Sequence, residues 1–300
     1  MSLASHLRSP SSPFRDAPAD RPATIGPWQL ARLLGEGQFT LVYEARPRDC
    51  PSEWPSDYAV KLLHPRHHGD RVAAGVIQRE AHVARLVSHP RLISILSAHV
   101  DGPPFYLVMP RLHGTTLESI VQRASTTALP RALWIGRQTA EALAALHCQG
   151  WLHSDVKPSN IFVSPAGRVT LIDLGFARRW KSSQDCTESS IAGTFAYAAP
   201  ETFSLAATPG PHSDVYSLGV TLYQLLTGSL PFSQTDPVEL AAAHLHHLPP
   251  DPRLLVPQLP LRVARLLKRM LAKQPLRRPE MTELIRLLVE LEIESFDEWI

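Results

Sequence analysis

Residues 153–160 read His153-Ser154-Asp155-Val156-Lys157-Pro158-Ser159-Asn160. Asp155, Lys157 and Asn160 fall in the spacing D-x-K-x-x-N, which gathers a carboxylate, an ammonium and an amide into one short stretch. Thirteen residues after Asn160 comes Asp173, closing the apolar run Val169-Thr170-Leu171-Ile172. An amide oxygen and a carboxylate on neighbouring segments can share a hard, oxygen-seeking cation such as Mg²⁺. Alone, the cluster also reads as a polar turn between two strands. What surrounds it decides.

The chain has 300 residues, 44% of them hydrophobic, enough for one large domain or two lobes. With 30 basic and 28 acidic residues the net charge is +2, which argues against nucleic acid as the main partner. The three cysteines (Cys50, Cys148, Cys186) are far apart. They form neither a disulfide framework nor a zinc site, and point to a reducing compartment. No apolar run approaches the ~18–20 residues that span a bilayer, so a cytoplasmic protein without a membrane partner is expected. Fourteen histidines include the groups His64, His67, His68 and His244, His246, His247. Both groups are flanked by proline and lack carboxylates at ligand spacing, so both are expected to be solvated surface residues.

In chain order, residues 1–24 form a polar tail without periodicity, expected to be disordered. Trp28–Leu34 reads as a strand running into Gly35-Glu36-Gly37, and Leu41–Tyr43 as a returning strand. The glycine turn has few side chains, so its backbone N–H groups can approach a phosphate. A dinucleotide fold would need a helix after the glycines, and none is indicated. Tyr58–Leu63 alternates like a buried strand and carries Lys61, whose charge needs a partner. A helix over about 71–87 offers Glu80, with Arg79 and Arg85 facing water. Leu92–Leu96 and Pro104–Met109 complete five strands around one helix. Residues 110–114 then read as a linker into a helical half. Helices are expected at 117–123, 131–148 (ended by Gly150), 214–227 (N-cap Ser213, followed by Gly228), 238–247, 261–272 and 280–292. Ile161–Val163 and Val169–Ile172 are short strands. Residues 174–199 form a long irregular segment with a hydroxyl-rich middle, of the kind that is usually functional.

Taken together, residues 28–290 resemble the eukaryotic-like serine/threonine protein kinases, particularly the bacterial members. The resemblance rests on ordered motifs: Gly35-x-Gly37 with Val42, the strand carrying Lys61, Glu80, His153-x-Asp155-x-Lys157-x-x-Asn160, Asp173-Leu174-Gly175, Ala199-Pro200-Glu201, Asp214 and Arg278-Pro279. It implies an α+β, bilobal kinase fold with a small antiparallel β lobe carrying one helix (25–109), a hinge (110–114) and a larger, mainly helical lobe (115–290). Residues 291–300 are expected to be a tail. It also implies a transfer of the γ-phosphate of ATP to Ser/Thr hydroxyls of protein substrates, in signalling. Leu34, Gly35, Glu36 and Gly37 should cover the phosphates, and Lys61, oriented by Glu80, should hold them. Asn160 and Asp173 should bind Mg²⁺, Asp155 should accept the hydroxyl proton, and Lys157 should sit by the transferred group. The adenine should lie between Val42 and Ala59 above and Phe162 below, beside Met109. The Pro110 carbonyl and Leu112 N–H should bond to it. Lys157 resembles the Ser/Thr type. Glu201 and Arg278 look like a buried ion pair, and Asp214 like a support for the backbone near His153. The sequence does not fix an oligomeric state.

Four positions depart from the family pattern. Thr40 replaces a glycine and stiffens the turn. Ala84 is smaller than usual opposite Leu174, which itself replaces a Phe. Ser154 replaces an arginine that pairs with a phosphate on the long segment. Phosphorylation of Ser190, close before Gly193-Thr194, is therefore expected to be a weak switch, with Arg178 as a candidate substitute cation. These departures motivate an alternative, a pseudokinase that binds nucleotide and acts as a scaffold.

Overall fold

Strand alternation in Tyr58–Leu63 organises the smaller lobe. Ala59, Lys61 and Leu63 face one side, Val60 the other. The computed structural model describes residues 24–51, 53–123, 126–180, 195–204 and 208–297. Its first sheet holds β1 (Thr24–Ile25), β2 (Trp28–Glu36), β3 (Thr40–Pro47), β4 (Tyr58–Leu63), β5 (Ser97–His99) and β6 (Tyr106–Pro110), in the order β1-β2-β3-β4-β6-β5. All pairs are antiparallel, and Lys61 on β4 sits opposite Val42 on β3 and Leu107 on β6. Helix α1 (Arg71–Leu86) starts where the Asp70 carboxylate accepts the N–H groups of Val72 and Ala73. It lays Ala73, Ile77 and Ala81 on Ala59 and Leu63, which puts the one charged residue of that helix face, Glu80, beside Lys61.

The larger lobe contains α2 (Leu117–Arg123), α3 (Leu129–Cys148), α4 (Pro211–Thr227), α5 (Pro237–His246), α6 (Leu261–Met270) and α7 (Met281–Asp297). Its short strands are β7 (Thr115–Thr116), β8 (Trp151–Leu152), β9 (Ile161–Val163), β10 (Val169–Leu171) and β11 (Arg178–Arg179). The face of α3 read from the sequence, with Ile135, Thr139, Ala142, Leu143 and Leu146, is buried throughout. Helix α4 is buried nearly all round and lies at the centre of the lobe. It stops at Gly228, whose φ of 75° suits the left-handed end that glycine adopts without penalty. Gly150 (φ 77°) turns the chain the same way after α3.

Several expectations need correction. Ser213 is not the N-cap of α4. The helix begins at Pro211 after Gly210, because a proline suits the first turn, where its missing N–H costs nothing. Ser213 sits inside that turn, bonded to the Gly210 N–H and to Glu201. Leu92–Leu96 is not a strand. The strand is Ser97–His99, while Leu92 and Ile93 are buried, and the Arg91 carbonyl and Ile93 N–H bond across to Leu171. Leu92 and Ile93 fill the junction between lobes, whereas Leu96 is exposed and its N–H meets the Val108 carbonyl just ahead of β5. The first sheet has six strands, not five, because Thr24 and Ile25 pair with Gln29 and Trp28. Residue 24 therefore belongs to the sheet. The presumed tail at 291–300 is helical as far as Asp297, with Glu292 bonded to Arg137 of α3. The two histidine groups are not uniformly solvated. His244 is fully buried between Phe203, Tyr216 and Phe232, and its Nδ1 meets the Tyr216 hydroxyl at 2.9 Å. His64 and His67 are largely covered, whereas His68, His246 and His247 are exposed.

Candidate active site

Lys61 is the meeting point of the two lobes. Its Nζ lies 2.6 Å from Glu80 Oε2 and 2.9 Å from Asp173 Oδ1, a residue 112 positions later in the chain. The ammonium is almost wholly buried. Burial alone would lower its pKa, but Asp173 and Glu80 outweigh that and raise it, so Lys61 stays charged. Burial pushes Glu80 up against the pull of Lys61. Burial also works against ionised Asp173, yet Lys61 and the Gly175 N–H win and hold its carboxyl below the usual range. Asp173 has a φ of 67°, a conformation a non-glycine residue keeps only when its surroundings impose it. Gly175 beside it is required: a Cβ there would sit 2.5 Å from Val76 Cγ1 of α1.

The stretch 153–160 is held from below. Both oxygens of the buried Asp214 on α4 accept backbone N–H groups, from His153 and Ser154, at 2.9 Å each. His147 of α3 adds a third contact at 2.8 Å. Burial acts to raise the Asp214 pKa, but His147 and its other partners hold the carboxyl low. The histidine was not anticipated, although its place near the end of α3 was. Ser154, at a φ of 66°, then turns the chain so that Asp155 enters the cleft.

Within the stretch, Asp155 Oδ2 takes Lys157 Nζ and Asn160 Nδ2, each at 2.8 Å. Asn160 Nδ2 also donates to the Asp155 carbonyl at 2.8 Å. Both hydrogens of the amide are thus used, and what Asn160 has left to offer is its oxygen. Asp155 Oδ1 is buried and has no hydrogen-bond partner among the described residues. The pocket beside it is lined by Ser154, Phe176, Arg178, Phe195 and Thr202, among others.

Leu34, Gly35 and Glu36 are the exposed last residues of β2, and Gly37 begins the turn into β3, closed by its N–H bond to the Thr40 carbonyl at 2.8 Å. Ala59 and Met109, opposite one another on β4 and β6, form an apolar floor with Val42 and Leu112. Pro110 ends β6 opposite Tyr58. Phe162 is half-buried on β9. The residue that the larger lobe adds to this apolar cluster is Ile172, which the sequence reading did not single out. Thr40 is buried, and Ala84 packs on the cluster that contains Leu174, itself fully buried. Ser190 lies outside the described residues.

A family model for the protein kinase domain matches residues 28–287. The chain belongs to the protein kinase family. Curated relatives of this kinase domain include the serine/threonine-protein kinase PknA of Mycobacterium tuberculosis, 32% identical over 255 residues, covering 83% of this chain and 57% of the relative. PknH of Mycobacterium bovis is 34% identical over 252 residues, 84% of this chain and 41% of that protein. PknE of Mycobacterium tuberculosis is 35% identical over 252 residues, 84% of this chain and 43% of that protein. The chain spans about half the length of the curated relatives it matches.

Proposed function

We propose that this kinase domain transfers the γ-phosphoryl group of ATP to serine or threonine hydroxyls of proteins. The observation that carries the reading is Asp155: one oxygen is saturated by Lys157 and Asn160, and the other is buried without a partner among the described residues. That leaves one oxygen to accept the proton of a substrate hydroxyl. Lys157, 2.8 Å from the same carboxylate, places a positive charge where the transferred group gains negative charge. Lys61 holds the α- and β-phosphates, and Glu80 keeps its ammonium aimed. The turn at 34–37 covers the phosphates with backbone N–H groups. Ala59, Val42 and Met109 accept the adenine face, and the Pro110 carbonyl and Leu112 N–H its polar edge.

The donor set suits Mg²⁺. The Asn160 oxygen and the Asp173 carboxylate are hard oxygen ligands, and no group of three or more His, Cys, Asp or Glu able to hold a metal occurs among the described residues. Two protein ligands are what Mg²⁺ takes when phosphates complete its shell. When bound, the ion neutralises charge on the phosphates. The paired Lys61 and Asp173 are already arranged for that task. We further infer a cytoplasmic signalling role. The described cysteines Cys50 and Cys148 are free thiols, and no helix among the described residues is long and apolar enough to cross a membrane.

Transfer of labelled phosphate from ATP to a generic protein substrate, with Asp155→Asn as control, tests the reading. Loss of the general base should lower the rate ~10²–10⁴-fold with Mg-ATP affinity nearly unchanged. Equal labelling by both proteins overturns it. ATP-induced thermal stabilisation with no transfer by the wild type would point to a scaffold.

A further inference from the structure

The turn joining β2 and β3 carries few contacts of its own. Gly35, Glu36, Gly37 and Gln38 are all exposed, and glycine backbone is costly to order. Beyond the hairpin's own pairing, Gly35 with Val42, Glu36 with Leu41 and the Gly37 N–H with the Thr40 carbonyl, its restraints come from the segment between β4 and α1. The His64 N–H donates to the Phe39 carbonyl at 2.8 Å. Arg66 Nη2 donates to the Gln38 carbonyl at 3.0 Å, and His67 Nε2 lies 3.0 Å from the same oxygen. The Phe39 ring meets the His67 ring edge-on, centroids 5.2 Å apart. Glu36 stands 3.8 Å from His64 and 3.9 Å from Arg66, and Asp70 stands 3.6 Å from His67 Nδ1.

We propose that Arg66 and His67 are positioning residues for the nucleotide phosphates, clasping the Gln38 carbonyl and so fixing the glycine turn over the cleft. The proposal rests on the nucleotide site inferred above. The peptide unit is planar and trans, so drawing the Gln38 carbonyl to one side sends the Phe39 N–H to the other. That N–H is a donor for a phosphate oxygen. The His67 contact needs a proton on Nε2. Without it the same nitrogen accepts from Arg66 Nε at 3.2 Å, and Arg66 alone keeps the carbonyl. Asp70 connects the clasp to α1, since its other oxygen caps the helix that carries Glu80. Thr40 fits this arrangement. A stiff, buried residue in place of a glycine is tolerable where the turn is already held in one position.

Two measurements on the full chain test the clasp: hydrogen exchange of the amides of 36–40 without nucleotide, and the Kd for Mg-ATP. The variants are R66A/H67A, H67Q and, as a control on the exposed face of α1, R85A. The double variant should exchange faster at 36–40 and bind Mg-ATP about fivefold to tenfold more weakly, as expected for losing roughly one net hydrogen bond. Its kcat at saturating ATP should stay within about twofold, because the lost contact serves ground state and transition state alike. H67Q keeps a donor and should bind nearly as wild type, and R85A should be unchanged. An unaltered unfolding midpoint separates these effects from misfolding. Exchange or Kd of the double variant equal to wild type overturns the proposal. A wild-type chain that fails to bind Mg-ATP overturns the nucleotide reading instead, and the exchange data still decide the clasp.

Discussion

Arg178 Nε donates to the hydroxyl of Ser154 over 3.0 Å, one residue before Asp155. The Ser154 N–H is at the same time fixed by Asp214. Asp155 is therefore positioned by contacts inside the larger lobe, two of them to one buried carboxylate on α4 and one to the cation that opens β11. Nothing in this set requires a phosphate.

The first prediction concerns Ser190. Ser190→Ala should keep most of the transfer activity, since Asp214 already orders the backbone at 153–154. Steady-state phosphoryl transfer with the variant checks it. A loss beyond ~100-fold, about 2.7 kcal/mol of barrier, would mean that Arg178 binds a phosphorylated residue and has taken over the role of the missing arginine.

Glu80→Gln keeps shape and hydrogen-bonding capacity but removes the charge 2.6 Å from Lys61. A charge-assisted hydrogen bond is worth ~1.5–3 kcal/mol, so kcat/KM for ATP should drop about 10- to 100-fold. Asp173 still pairs with Lys61 at 2.9 Å, so the chain should remain folded. An unchanged kcat/KM would show that Glu80 does not orient the lysine.

Glu201 and Arg278 form a double contact at 2.6 and 2.8 Å with side chains almost wholly buried. Arg278→Met should destabilise by roughly 3–5 kcal/mol, because it strands a buried carboxylate. Glu201→Gln should cost less, since Arg278 keeps the carbonyls of His212, Ala272 and Lys273. Burial acts to raise the Glu201 pKa, but Arg278 holds it below the ordinary 4.5. A depressed carboxyl stabilises above its unfolded pKa and loses that contribution as pH falls. The gap between wild type and Arg278→Met in urea unfolding should therefore narrow below about pH 4.5.

His244 supplies a pH prediction. Burial, then the nearby Lys273, lowers its pKa from 6.5 to about 4. Between these values the unfolded chain binds more protons than the folded one, so stability must rise with pH there. The wild type should lose about 3 kcal/mol as pH drops from 6.5 to 4 through this group. In His244→Gln that part of the acid dependence should be absent. An acid limb identical to that of wild type would show that other groups set it.

Asp155, Lys157 and Asn160 were legible because their spacing is local, and a loop of that length leaves few ways to separate them. Lys61 and Glu80 were legible for a different reason. A charge on the inner face of an apolar strand demands a partner, and helical periodicity left Glu80 on the facing side. The start of α4 carried its own signal in Gly210-Pro211, a stronger one than the serine that follows. The histidines carried none. His244 and His246 are two residues apart, yet one is enclosed by Phe203, Tyr216 and Phe232 while the other faces water. Only the packing of distant segments makes that difference.

By itself, then, the sequence determined which charged and polar groups this kinase domain brings to its candidate site, and which stretch of chain presents each one. Those features reside in spacing and periodicity, which act over a few residues. The tertiary structure alone decided that Asp173 reaches Lys61, that His147 braces the Asp214 carboxylate below residues 153–154, and that Arg66 and His67 grip the glycine turn. Such contacts join residues as many as 112 positions apart. They exist because the apolar clusters of the two lobes fix where distant stretches of chain meet, and no local pattern records where that will be.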